Sequence, residues 1–282
     1  MKKFFTAVIA LMMTVSVSAQ FYIYLSNGTY LVADSISMVV PSDDPVEANY
    51  TPMAFTINEN GDQIFFSPGN LQYQASTNTW RFAEHQYDLI GSDNSNISST
   101  YDGWIDLFGW GTGNNPTNAS TDYNDYSTFV DWGTNAISNG GNTPNQWRTL
   151  TSGEWAYLCN TRANAAELRS QATVNGVHGY IFLPDDFVLP EGFTFYANSN
   201  DWSANIYSAL GWSKLEAAGA VFLPAAGYRY GTDVDDVGSI GNYWSSTPRG
   251  TYYAYYLYFS SNGLGPQVDD DRYYGRSVRL VR

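Results

Sequence analysis

The chain has 282 residues, 44% hydrophobic and 17% aromatic, and carries a formal charge of −14. So acidic a chain offers no basic surface to phosphate backbones or anionic lipids, which excludes nucleic acid as a partner. Its single cysteine, Cys159, cannot form an internal disulfide, so stability must come from packing, to which nine tryptophans contribute.

The chain begins MKKFFTAVIALMMTVSVSAQ, with a Lys2-Lys3 pair, an apolar run from Phe4 to Val17 and small residues before a cut after Ala19. That is the pattern of a secretory signal peptide over residues 1–19, and it predicts a protein exported by that signal, secreted or displayed at the cell surface. Cleavage would leave Lys214 as the last lysine and lower the formal charge to −16. No later stretch approaches the roughly 20 apolar residues of a spanning helix, so no transmembrane segment is expected. Residues 21–40, FYIYLSNGTYLVADSISMVV, alternate apolar and polar around Asn27-Gly28, a hairpin signal. PSDDPVEANYTP follows as an acidic, proline-punctuated linker over 41–52. The N-terminal segment 20–52 is thus expected to be separable, and its strand edges suit assembly with another chain.

From Phe55 onward the pattern changes to short β-type runs, among them AFTI, QIFFS, LQYQ, TWRFA, YIFLP, AVFLPAAGYRY, YAYYLYF and RSVRLVR. Two segments read as helices. TSGEWAYLCNTR has Thr151 or Ser152 as N-cap, Glu154 in its first turn, Arg162 at its end, and Trp155 and Leu158 three apart on one face. ANIYSALGWSKLEAAG is the second. The combination predicts an α+β domain over residues 53–282. The loops at 91–103 and 111–145 are too long for plain connectors, and Trp104, Trp110 and Trp132 are expected to anchor them to the domain.

Catalytic chemistry is hard to place. His85 and His178 stand far apart with no Cys or His at metal spacing, and no HExxH, GxSxG, phosphate loop or dinucleotide fingerprint occurs. Cys159, within WAYLC, reads as a buried, inert thiol. With no nucleophile to name, the protein is expected not to be an enzyme. Asp185-Asp186, Asp233-Val-Asp235-Asp236 and Asp269-Asp270-Asp271 read as solvated acidic turns rather than calcium loops. No cofactor is expected; were calcium bound, Asp233, Asp235 and Asp236 would be its first candidates.

Several ordered strings carry a resemblance spanning roughly residues 55–282. WRTLTSGEWAYL resembles the LPTEAEWEYA helix of formylglycine-generating-enzyme-like domains, with Glu154 and Trp155 at matching positions. LPAAGYRY and NYWSST resemble later strings of that family, and GRSVRLVR its terminal strand. The resemblance implies a C-type-lectin-type fold, an irregular, loop-rich antiparallel sheet with about two helices. The family's enzymes use cysteines or a metal, whereas this chain has Cys159 alone, on the helix, a departure that argues against formylglycine synthesis. The chain also resembles the variable proteins of diversity-generating retroelements, many of which use this fold and carry a hypervariable C-terminal segment. Adenine mutagenesis in such systems turns Asn codons into Tyr, Asp, Ser, Gly and others but never Lys, Glu, Met or Trp. Arg249 to Tyr274 contains none of those four.

Thr251 to Gly275 holds seven tyrosines and three consecutive aspartates. In AYYLYFS alternate side chains share a face, so Tyr255, Leu257 and Phe259 are expected in the core while Ala254, Tyr256, Tyr258 and Ser260 point outward. Candidate ligand-binding residues on and beside this strand are Tyr252, Tyr253, Tyr256, Tyr258 and Ser260. The loop SSNGLGPQVDDD adds Asn262, Leu264, Asp269, Asp270 and Asp271, and the end adds Tyr273 and Tyr274. Val278 and Leu280, on one face of the last strand, would anchor a surface free to vary across 249–276. Tyrosine with Ser, Gly and Asn is also the composition of antibody paratopes. The expected function is therefore an adhesin-like, ligand-binding protein that takes a protein or glycan. The alternatives are an enzyme of the resembling family and a calcium-dependent glycan-binding lectin, although the lectin triplets Glu-Pro-Asn and Gln-Pro-Asp are absent. Tyrosine-rich strands also occur as ordinary core, where aromatic residues have high strand propensity.

Overall fold

The N-terminal hairpin is present as Phe21–Tyr24 paired antiparallel with Tyr30–Ala33, in a computed structural model that otherwise describes residues 53–282. The signal peptide, the Asn27-Gly28 turn and the linker at 41–52 lie outside the described residues. The chain divides into two units, 1–48 and 49–282, and the second holds both α-helices and all the larger sheets. Among the described residues no helix is long and apolar enough to cross a membrane.

The second unit is α+β and mostly sheet, built from several small sheets and, among the described residues, two α-helices. One sheet has the spatial order Ile206–Tyr207, Arg169–Val174, Val177–Phe182, Val221–Pro224, antiparallel except for the first pair. Its central hairpin turns on Asn175-Gly176, both at positive φ, the pairing a two-residue loop favours. The other large sheet sets Tyr253–Ser260 between Ile240–Arg249 and Gly263–Asp271, all antiparallel. SSNGLGPQVDDD, read as a loop, is therefore largely an edge strand, where Pro266 is tolerated because one side needs no ladder hydrogen bond.

Thr151 caps the first helix, Ser152–Ala156, through a full capping box with Glu154. A π-helical turn, Tyr157–Thr161, extends it, and Arg162 closes the end with its Nε donating to Leu158 O at 3.0 Å. The second helix is shorter than the sequence pattern suggests, Ala209–Ala217. Ile206–Tyr207 instead pairs with Thr173–Val174, and Ser208 Oγ caps the helix by accepting from Gly211 N at 3.1 Å. Asp185 is not a solvated turn residue. It accepts from Thr56 N and Oγ1, both at 2.7 Å, and pairs with the buried Arg162 at 3.1 Å, linking three segments that are distant in sequence.

Three apolar clusters form the core. One surrounds Phe66, Trp155, Leu158, Leu257 and Phe259. A second gathers Trp80, Phe108, Trp110, Trp132 and Trp244, and a third packs Trp212 and Leu215 against Phe222. Trp110 and Trp132 are buried and anchor the long loops as expected, while Trp104 lies in a short strand under the Arg81 guanidinium, 3.7 Å from its ring. Cys159 is fully buried, and desolvation pushes its thiol up to about 12.

The 91–96 turn is held by a buried carboxylate. Asp106 accepts from Ile90 N at 2.9 Å and Asn94 Nδ2 at 2.8 Å, while Asn94 Oδ1 accepts from Asp106 N and Leu107 N. Burial pushes Asp106 up to about 6, because these hydrogen bonds offset only part of the desolvation.

This packing sets two expectations for stability. Trp155→Ala should lower it by about 3–5 kcal/mol in a urea melt, as full truncation of a core aromatic does. For Asp106 the folded value lies above the unfolded one, so its contribution is fullest at low pH and declines as pH rises through about 6. Relative to Asp106→Asn, the native chain should gain about 1 kcal/mol on going from about pH 7 to about pH 5. Parallel melts that leave the difference constant would show that Asp106 is already ionised without cost.

Candidate functional site

The strand Tyr253–Ser260 has no free face. Leu257 and Phe259 enter the first cluster, as alternation requires, but Ala254 and Tyr256 enter the second, and Tyr256 is only 6% exposed. The expectation that Tyr256 points outward is thus corrected. The covering side chains come from the 71–147 region and from Val278 and Leu280, so alternation in the strand alone cannot reveal them. Ser260 is buried as well, its hydroxyl accepting from Tyr258 Oη at 3.0 Å and Asn262 N at 3.2 Å. Tyr258 is half-buried at the margin of the second cluster, and Tyr255, placed with the core face, is only half-buried too.

Tyr256 belongs to a cage around an arginine. The Arg276 guanidinium lies 3.6 Å from the Tyr256 ring centroid, 4.8 Å from that of Trp244 and 5.3 Å from that of Tyr274. It donates to Asn242 Oδ1 at 3.0 Å and to Asp270 Oδ2 at 2.6 Å. Arg272 sits 4.2 Å from the Trp110 ring and donates to three main-chain carbonyls: Tyr253 at 3.1 Å, Gly250 at 3.0 Å and Tyr126 at 3.3 Å. Asp269 pairs with Arg249, and Asp271 accepts from Tyr273 Oη at 2.8 Å. The aspartate run therefore lies on a strand with each carboxylate engaged, which corrects its reading as a solvated turn.

Above this framework stand rings that do reach solvent. Tyr252 is 42% exposed, Tyr253 44% and Tyr230 43%. Tyr230 meets Tyr273 edge-on at 5.6 Å and Tyr274 at 5.7 Å, and Tyr228 meets Tyr274 at 5.6 Å. Tyr123 lies 4.0 Å from Tyr252 between ring centroids. Tyr228 and Tyr230 come from a hairpin, Tyr228–Tyr230 with Asp233–Asp235, whose register sets Asp235 opposite Tyr228 and Asp233 opposite Tyr230. Gly275 runs beside Arg229 of this hairpin. A Cβ there would lie 2.9 Å from Arg229 Nε, so only glycine permits the approach. The tip at Gly231 abuts Thr121, near Tyr123.

The tyrosine hydroxyls sit in a negative field. Burial, then the hydrogen bond to Asp271 and its charge, push Tyr273 up. Burial followed by Asp270 raises Tyr274, and burial followed by Asp235 and Asp236 raises Tyr228. Among the described residues no group of three or more His, Cys, Asp or Glu side chains could hold a metal ion.

Beyond Tyr256, Tyr258 and Ser260, which are buried or half-buried in the strand, the sequence candidates fall into two groups. Tyr252, Tyr253, Asp269, Asp270, Asp271, Tyr273 and Tyr274 gather at one end of the central strand. Asn262 and the partly buried Leu264 lie at the other, Asn262 in the turn beyond the Ser260↔Gly263 pair and Leu264 opposite Phe259, roughly 20 Å or more from Tyr253 at the rise of an antiparallel strand. Tyr123, Tyr228 and Tyr230 complete the surface and were not among the candidates. The period-2 pair flanking Arg229 in GYRYG was the available signal for two of them, while nothing local marks Tyr123.

A family described as a domain of unknown function, DUF8237, matches residues 197–281. That segment carries the hairpin and the three-stranded sheet but not Tyr123. No curated protein and no solved structure matches the chain.

Tyr256→Ser should cost about 3 kcal/mol or more, since it removes a core ring and uncovers Arg276. Tyr252→Ser and Tyr253→Ser should each stay within about 0.5 kcal/mol, as exposed positions do. Chemical denaturation of the three variants checks this contrast, and equal costs would mean that the buried and exposed tyrosines are not distinct classes.

Proposed function

We propose that this chain is a secreted or surface-displayed, adhesin-like ligand-binding protein of C-type-lectin-type fold, whose C-terminal tyrosine surface meets a protein or glycan partner. The observation that carries the reading is the division of labour within residues 249–276. Buried Tyr256, Arg272 and Arg276 form a frame, while Tyr252 and Tyr253 project from it and contribute little to the core. Arg272 holds the 250–253 turn by its carbonyl oxygens, so the backbone there is fixed whatever side chains it carries. Rigid tyrosines on such a backbone give large contact area at low rotamer cost.

The same division suits the variable-protein reading, in which 249–276 is diversified by a retroelement. Tyr252 and Tyr253 can change without disturbing a buried group, and the segment's composition fits adenine mutagenesis. The N-terminal strand pair is assigned to assembly with another chain, since each strand has a single neighbour among the described residues.

The binding test compares the native protein with a Tyr230→Ser, Tyr252→Ser, Tyr273→Ser triple variant on a glycan array and a displayed protein-fragment library. At least one ligand should be held by the native chain and weakened about tenfold or more in the triple variant, with melting unchanged. Ligands held equally by both would remove the site. The genomic test is separate: a neighbouring reverse transcriptase gene with a near-copy of the 249–276 coding segment, differing only at adenines, is expected, and its absence would remove the diversification.

A further inference from the structure

The outer tyrosine surface repeats the chemistry that holds Arg276 one layer below. In that inner layer a guanidinium lies against the rings of Tyr256 and Tyr274 and is closed by the Asp270 carboxylate. In the outer layer the rings of Tyr228 and Tyr230 stand opposite Asp235 and Asp233, and Tyr273 stands beside Asp271. None of Asp233, Asp235 and Asp271 forms an ion pair among the described residues.

The charge balance around this surface is negative. Asp122 and Asp125 flank Tyr123, Asp236 extends the hairpin, and Asp269 is offset by Arg249. Three arginines oppose them, Arg229, Arg272 and Arg276, all buried beneath the rings. Arg229 and Arg272 are spent on main-chain carbonyls, and Arg276 is already matched by Asp270. A ligand approaching from solvent therefore meets aromatic faces and carboxylates, and the exposed Arg249 beside them is already paired with Asp269.

We propose that this surface takes an arginine-bearing segment of a partner protein, its guanidinium groups lying over the Tyr230 and Tyr273 rings and pairing with Asp233, Asp235 and Asp271. The inference rests on the binding reading above and gives it a ligand class. Arginine is favoured over lysine because a planar guanidinium stacks on an aromatic face while its fork meets a carboxylate. An acidic segment is repelled. A neutral glycan could stack on the same rings but would leave the carboxylates uncompensated.

The test uses the full mature chain and fluorescently labelled hexa-arginine, hexa-lysine and hexa-glutamate peptides, with a neutral chito-oligosaccharide beside them, in anisotropy titrations at physiological ionic strength. Hexa-arginine should bind more tightly than hexa-lysine, and hexa-glutamate should not bind. Tyr230→Ser and Tyr273→Ser leave the net charge unchanged, so a loss of about tenfold in either assigns binding to the surface rather than to the overall acidity. Asp235→Asn should weaken binding too, whereas the distant Asp62→Asn should not. Unchanged hexa-arginine affinity in both tyrosine variants overturns the inference, as does its failure to bind. If the oligosaccharide or hexa-glutamate binds instead, and is lost in the tyrosine variants, the cationic ligand is wrong while the tyrosine surface remains a binding site. Thermal melts of each variant keep loss of fold apart from loss of ligand.

Discussion

A guanidinium buried under aromatic rings holds the candidate site to the rest of the domain. Arg276 touches three strands' worth of structure at once, through Asn242 and Trp244 on one, Tyr256 on the next and Asp270 on the third. Its own segment continues into Ser277 and Val278, whose main chain bonds back to Asn242 and Leu71. A charge so placed is expensive to desolvate and worth keeping only if its partners are all present. Asp270, Asn242 and the ring faces of Trp244 and Tyr256 are those partners, so the sheet, the terminal segment and the tyrosines stand in fixed relation.

Arg272 and Arg229 extend the same logic with backbone in place of carboxylate. Carbonyls are available at every residue, so a fork that binds them fixes the course of the chain without prescribing its side chains. Arg272 does this for the 250–253 turn. Arg229 does it for the hairpin and the 107–118 segment together, reaching the carbonyls of Gly231, Leu107 and Asn118. Desolvation with no carboxylate partner lowers Arg229 to about 10, which still leaves it charged at neutral pH. A tyrosine surface assembled from loops distant in sequence thus acquires rigidity that the loops would lack alone.

Local signals were legible wherever local chemistry decides the structure. Thr151 or Ser152 ahead of Glu154 marks a helix start and Leu257 with Phe259 a core face, while the tight turn at Asn175-Gly176 was an equally local signal that went unread. The unread part is what lies across the space from each segment. Tyr256 and Ser260 alternate correctly with Leu257 and Phe259, yet both faces of their strand are covered, because Trp80, Phe108 and Trp110 arrive from elsewhere in the chain. Asp185 looked like surface charge until Arg162 and Thr56 came to meet it. Of the site itself, the tyrosines at 252, 253, 273 and 274 were visible as composition. Tyr123 was not, since only the fold brings it against Tyr252.

The double burial of the central strand also explains why the aspartates follow where they do. Opposite Tyr255, Ala254 and Tyr253 the edge strand carries Asp269, Asp270 and Asp271, at the point where the strand leaves the core for solvent. Asp269 and Asp270 are tied down there by Arg249 and Arg276, and Pro266 with the register shift near Gly265 interrupts the ladder at the strand's other half, so the edge is poorly suited to pairing with a further strand. The acidic run thus serves two ends of one requirement. It ties the edge strand to its neighbours through Arg249 and Arg276, and it leaves Asp271, without an ion pair among the described residues, fixed beside the Tyr273 ring, where the surface favours a partner of opposite charge.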